Sequence, residues 1–138
     1  MRLFLLAAIG WVSLGVCCTD FVVKTRDGAL VNGRSMEFGM PLSTKVRVFS
    51  RGDRVQSGSP DGRGGVGWTV KYGFVGATSL LDDCVVDGMN EAGLGFGALW
   101  LPGTQYQSVS AEEADRALDF VHLGVWALGQ FASVGEVR

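Results

Sequence analysis

Apolar and charged residues alternate from 45 to 50 (Lys45, Val46, Arg47, Val48, Phe49, Ser50), the period of a strand with one face toward solvent. Phe21, Val22 and Val23 give strand character to 19–25, Arg26, Asp27 and Gly28 form a turn signal, and a second strand over 30–36 would complete a hairpin. Residues 51–67 are rich in Gly, Ser, Asp and Pro and read as a surface loop. Strand character returns over 68–78, 84–89 and 95–101, the last two joined by a turn at Asn90, Glu91, Ala92 and Gly93. Only then does the period change. Ser110, Ala111, Glu112 and Glu113 have the form of a capping box, and Leu118, Val121, Val125 and Leu128 recur at helical spacing. Hairpin-linked strands followed by helix define an α+β class. A second capping box, from Ser133 to Glu136, places a helix start just before Arg138, and the chain is expected to be a truncated one.

The first residues obey a different pattern. Met1 and Arg2 precede an apolar run from 3 to 16 that is too short to span a bilayer and has the form of a signal peptide. Gly15, Val16 and Cys17 offer a small-residue site, so residues 1–17 are expected to be removed and 18–138 to form the mature domain. Leu14 to Cys17 also loosely resembles a lipobox, which would instead leave a lipid anchor on Cys17. Either route leads out of the cytoplasm, to a secreted, periplasmic or lipid-anchored protein.

Length and charge narrow the picture further. With 138 residues, one domain or a piece of one is expected. The net charge of −2 becomes −3 once Arg2 is lost, which does not favour a nucleic-acid partner. Three cysteines without a CxxC pair and a single histidine argue against a zinc site, so neither metal nor cofactor is expected. Gly62 to Gly67 satisfies GxGxxG, but it precedes a strand and no helix follows, which removes the physical basis for dinucleotide binding.

A cut before Cys18 would place a thiol and a free α-amine on one residue, and an α-amine can serve as general base for its own nucleophile. No histidine is then needed, and His122, in the middle of the expected helix, has a structural role. A nucleophilic thiol is favoured by a nearby cation, and the hairpin would bring Arg34 back beside the start of the mature chain. Glu37 could pair with Arg34 or accept a hydrogen bond from the new amino terminus. From spacing alone, an ordinary surface ion pair explains Arg34 and Glu37 as well.

These residues resemble the opening of the choloylglycine hydrolase and penicillin V acylase family: Cys18, Thr19, Asp20, Phe21, then Asp27, Gly28, then Gly33, Arg34, Ser35, Met36, Glu37, Phe38. Family members begin their mature chains with Cys and carry Arg sixteen residues later (34 − 18 = 16), with an acidic residue, usually Asp, three beyond; Glu37 departs by one methylene. Asp87 to Gly95 is similar to the family's conserved hairpin, and 125–137 to its first long helix running into the next. Trp100 stands where bile salt hydrolases typically have the Asn of the oxyanion hole and penicillin acylases have aromatic residues; it can donate only its indole N–H.

The resemblance implies an Ntn-hydrolase four-layer αββα sandwich. It also implies hydrolysis of linear amide bonds in small N-acyl amides, more like penicillin V acylase than bile salt hydrolase, through an acyl-thioester at Cys18. Arg34 and Glu37 would tune and position the nucleophile and Trp100 would line the acyl pocket. The family's downstream Asn and Arg have no counterpart before Arg138, so these residues alone are expected to be inactive. No membrane span is expected after cleavage, and a homo-oligomer is left open. Two other readings stand beside the enzyme: a lipoprotein anchored through Cys17, and an exported binding module that kept the fold without the chemistry.

Overall fold

A computed structural model describes residues 18–101 and 103–138. The expected signal peptide over 1–17, its cleavage or acylation at Cys17, and Pro102 lie outside the described residues. The strands run β1 (Thr19–Lys24), β2 (Leu30–Ser35), β3 (Lys45–Phe49), β4 (Arg54–Gln56), β5 (Gly67–Thr69), β6 (Phe74–Thr78), β7 (Val85–Asn90) and β8 (Gly95–Gly97). A 3-10 helix (Ala111–Arg116) and α1 (Leu123–Gln130) follow. All pairings are antiparallel: a β1-β2 hairpin, a four-stranded sheet in the order β3-β6-β7-β8, and a β4-β5 ribbon. Strands first and helix last, in antiparallel sheets, agree with the α+β expectation.

The four-stranded sheet has two unlike faces. Phe49 stands opposite Phe74 and Phe74 opposite Asn90, while Gly88 stands opposite Phe96, and cross-strand partners share a face. α1 lies on that face. Phe49, Val70, Phe74, Val85, Leu94, Val125 and Leu128 form the core, with Val55, Trp68, Phe96 and Phe131 packed against it. Phe49 and Phe74 stack with ring centroids 4.4 Å apart. At Gly88 a Cβ would sit 2.6 Å from the Val75 carbonyl oxygen and 2.8 Å from Leu128 Cδ1, so glycine is what lets the helix seat on the sheet. The other face carries Val46, Val48, Val75 and Met89, all exposed. At its β7-β8 end the β1-β2 hairpin docks through Arg34, which donates to the carbonyls of Val86 and Ala98.

Several expected boundaries moved, each for a tertiary reason. The expected loop 51–67 contains β4, which pairs Val55 with Trp68. The expected strand 68–78 is two strands, because the amides of Lys71 and Tyr72 turn to the Gly129 carbonyl at the end of α1, at 2.8 and 3.2 Å. β8 stops at Gly97 instead of continuing to 101. The expected helix carrying Leu118, Val121, Val125 and Leu128 begins only at Leu123, so the first two of these precede it.

The cause of that late start is visible at residues 117–119. The Ala117 carbonyl accepts the Val66 amide at 2.9 Å and the Asp119 amide donates to Ser57 Oγ at 2.9 Å, which holds the segment extended. Ser110 caps no backbone amide, and Asp119 takes over the task, its Oδ1 accepting the His122 amide at 2.8 Å. His122 is therefore at the N-terminus of α1 rather than in mid-helix. The Ser133 to Glu136 segment makes a turn, not a helix start. Glu136 Oε2 accepts the Ala132 amide at 2.9 Å, one residue before the Ser133 amide that a capping box would engage.

Candidate active site

The hairpin register builds the site. Thr25, Asp27 and Ala29 close the turn between β1 and β2 with local hydrogen bonds, among them the Gly28 amide to the Thr25 carbonyl at 3.0 Å. Pairing then runs Thr19 to Ser35 and Asp20 to Arg34. Arg34 thus returns to the start of β1, as the expected hairpin implied. Cys18 immediately precedes β1, and its Sγ–H donates to the Glu37 carbonyl at 3.5 Å. The Thr19 amide donates to Ser35 Oγ at 3.3 Å, and the Ser35 hydroxyl donates to Glu37 Oε2 at 3.0 Å. Cys18, Ser35 and Glu37 are brought together within one small network.

Arg34 and Glu37 do not pair. The Glu37 carboxylate is taken up by Ser35, and the Arg34 guanidinium turns the other way, into the β7-β8 edge. With only 7% of its side chain exposed, Arg34 is not part of a surface ion pair either. Its nearest carboxylate is Asp87, 4.0 Å away. Burial pushes the Asp87 carboxyl up, the Arg34 charge opposes this, and the Asp20 charge adds to the rise. Asp20, Asp87 and Gly97 were not singled out as site residues. Asp20 had a signal in its place two residues after Cys18.

Trp100 is exposed, and its ring tilts against Phe38 at 5.7 Å between centroids. Phe38 follows Glu37 directly, so an aromatic pair lies one residue from the carbonyl that holds the Cys18 thiol. His122 is occupied elsewhere: its Nδ1 is 2.7 Å from Asp119 Oδ1, and its ring meets Trp68 edge-on at 6.4 Å. This is the structural role expected of it. Cys18 and Cys84 are free thiols, and Cys84 is buried, with its pKa raised first by desolvation and then by the Asp119 charge. Among the described residues no group of three or more His, Cys, Asp or Glu is disposed to hold a metal ion, and no helix is long and apolar enough to cross a membrane.

The antiparallel α+β scaffold holds a free cysteine just before β1 and a buried arginine on β2, and its sequence places it in the class of amide C–N hydrolases. Residues 18–138 match the linear amide C–N hydrolases of the choloylglycine hydrolase family, and the chain belongs to that family. It is similar to a bile salt hydrolase/transferase of Clostridium perfringens (strain 13 / Type A), 30% identical over 125 residues that cover 88% of this chain and 36% of that one. A penicillin V acylase of Pectobacterium atrosepticum is 26% identical over 130 residues, 90% of this chain and 34% of the relative. The chain spans about a third of the length of the curated relatives it matches.

Proposed function

We propose that the full-length protein is an exported N-terminal-nucleophile amidase that hydrolyses small N-acyl amides through Cys18. Removal of residues 1–17 frees the Cys18 α-amine, which takes the thiol proton. The thiolate sulfur adds to the amide carbonyl carbon. The tetrahedral adduct then breaks its C–N bond, the amine leaves with the proton held by the α-ammonium, and an acyl-thioester remains. Water adds to the thioester carbonyl and gives its proton to the α-amine. The C–S bond breaks, releasing the carboxylic acid and restoring the thiol. The scheme needs neither metal nor cofactor.

One observation carries this reading: the free Cys18 thiol is held by the Glu37 carbonyl at the mouth of a hairpin whose opposite strand buries Arg34. A cation near a thiol is the general device for favouring thiolate, and Arg34 shares the hairpin that Cys18 opens. Glu37 acts as a positioning residue through Ser35 and its own carbonyl, in place of an ion pair with Arg34. Family membership supports the amide bond as substrate class. The rest of the αββα sandwich, including further oxyanion donors, would come from the part of the relatives' length that this chain does not span.

For the acyl group we favour an aromatic or phenoxyacyl chain of the penicillin V type over bile-salt conjugates. Phe38 and Trp100 present an exposed aromatic pair beside the nucleophile, well suited to stack on a flat acyl group. Trp100 also lacks the side-chain amide that could act as a strong oxyanion donor.

The first test is the mature N-terminus together with amidase kinetics on the full-length protein. A free Cys18 terminus is expected, and Cys18→Ala is expected to lower kcat by roughly a thousandfold or more. Activity that survives Cys18→Ala, or an acylated Cys17 terminus, would sink the reading. Trp100→Asn is expected to shift the ratio of rates toward bile-salt conjugates by about tenfold, in line with the gain of one oxyanion donor and the loss of stacking area.

A further inference from the structure

Building on the reading of Cys18 as the nucleophile, we propose that Asp20 is a positioning residue for Arg34, and that the two together set the charge felt by the Cys18 thiol. Asp20 and Arg34 are direct cross-strand partners, so their side chains leave the same face of the hairpin. Cys18 lies two residues before Asp20, immediately ahead of β1. Asp20 Oδ2 fills the space that a Cβ would take at Gly97, and Arg34 Nη1 is 3.8 Å from the same point. Glycine at 97 is what admits the carboxylate beside the guanidinium.

Each partner keeps one buried polar atom, Oδ1 of Asp20 and Nε of Arg34, without a hydrogen-bond partner among the described residues. One is an acceptor and the other a donor, on residues that face each other across the hairpin. A guanidinium so little exposed needs carboxylate charge nearby. Asp87 supplies part of it, but burial raises the pKa of Asp87 and makes its charge the more costly to maintain. Asp20, farther from the guanidinium than Asp87 but its direct cross-strand partner, is the second counter-ion.

The ionisable groups at this end of the hairpin are then the Cys18 α-amine freed by cleavage, Asp20 on β1, Arg34 on β2 and Glu37 just after β2, with Asp87 on β7 facing Arg34; β8 brings only Gly95, Phe96 and Gly97. With Asp20 ionised, the Arg34 charge is balanced locally. With Asp20 neutralised, Arg34 is a freer cation at the Cys18 end of the hairpin and is less firmly held. Asp20 therefore trades thiol acidity for a fixed guanidinium.

The test follows the alkylation of Cys18 by iodoacetamide against pH in the full-length protein, read by mass spectrometry with buried Cys84 as internal reference. Residues two apart along an extended chain are about 7 Å apart, so removing the carboxylate in Asp20→Asn is expected to move the Cys18 midpoint down by on the order of half to one pH unit. Gly97→Ala, which displaces the carboxylate without removing it, is expected to move it the same way. On an N-acyl amide, kcat is expected to fall about tenfold with KM within about twofold, the signature of a misplaced group beside the nucleophile. A Cys18 profile unchanged in both variants, each melting as the parent does, overturns the proposal. Amidase activity that survives Cys18→Ala would remove the nucleophile reading, and the thiol titration would still decide the role of Asp20, because it needs no turnover.

Discussion

Asn90 shows how much a single side chain can do beyond its turn. Its Oδ1 accepts the amides of Ala92 and Leu94 at 3.1 and 2.9 Å, which closes the β7-β8 connection. Its Nδ2 donates to the carbonyls of Leu128 and Phe131 at 2.9 and 2.7 Å, which ties that connection to the end of α1. Asn90→Ala leaves these backbone groups without their partner and is expected to lower stability by about 3 kcal/mol, read as a shift of the denaturation midpoint. A fall of a few tenths would mean the helix end relaxes freely. The turn half of this role was legible in the order Asn90 to Gly93, whereas the helix half joins residues about forty apart and has no local signal.

Asp119 makes the comparable argument for pH. Burial raises its carboxyl, but hydrogen bonds from the His122 amide and ring and from the Gly58 amide outweigh this and leave it below its ordinary value of 3.8. A depressed carboxyl contributes stability above its unfolded pKa and loses it as pH falls through the folded one. Asp119→Ala is expected to cost about 2 kcal/mol at pH 6, and the gap between variant and parent should narrow below about pH 4. A gap constant from pH 6 to 3 would contradict it.

At the level of elements, what the chain pattern revealed depended on how local each element is. The β1-β2 hairpin was legible because a turn and two apolar stretches lie within one short segment, and its register carried Arg34 back to the start of β1 as the expected hairpin implied. The partners of Arg34, Val86 and Ala98, lie 52 and 64 residues away and were not legible. The start of α1 was misplaced for the same reason: Val66 and Ser57 hold residues 117–119 extended and outweigh a favourable capping pattern at Ser110. Val125 and Leu128, the part of the apolar period that does lie on the helix, are fully buried. Gly88→Ala tests the seat they occupy. Its Cβ would meet Leu128 and the Val75 carbonyl, and the expected loss is about 2 kcal/mol with the sheet retained by circular dichroism.

At the level of the whole molecule, α1 covers one side of the sheet, and among the described residues no helix covers the other. The opposite face presents Val46, Val48, Val75 and Met89, with Val46 77% and Val48 68% exposed. The β1-β2 hairpin covers just the β7-β8 end of it, where Arg34 and Asp20 meet Val86, Gly97 and Ala98. A contiguous apolar sheet face of this kind calls for a second layer. In the proposed sandwich with two central sheets, the hairpin would be the first part of that layer, and Cys18 would lie at the junction of the two sheets. Residues 18–138 prepared alone are therefore expected to bind a hydrophobic dye and to self-associate, and replacing Val46 and Val48 together by Ser is expected to reduce both. In the full-length protein the same double substitution is expected to cost about 2 to 4 kcal/mol, because each valine would lose burial against the second layer. If the full-length protein tolerates the change without loss, that face is open to solvent in the complete protein and the second layer lies elsewhere.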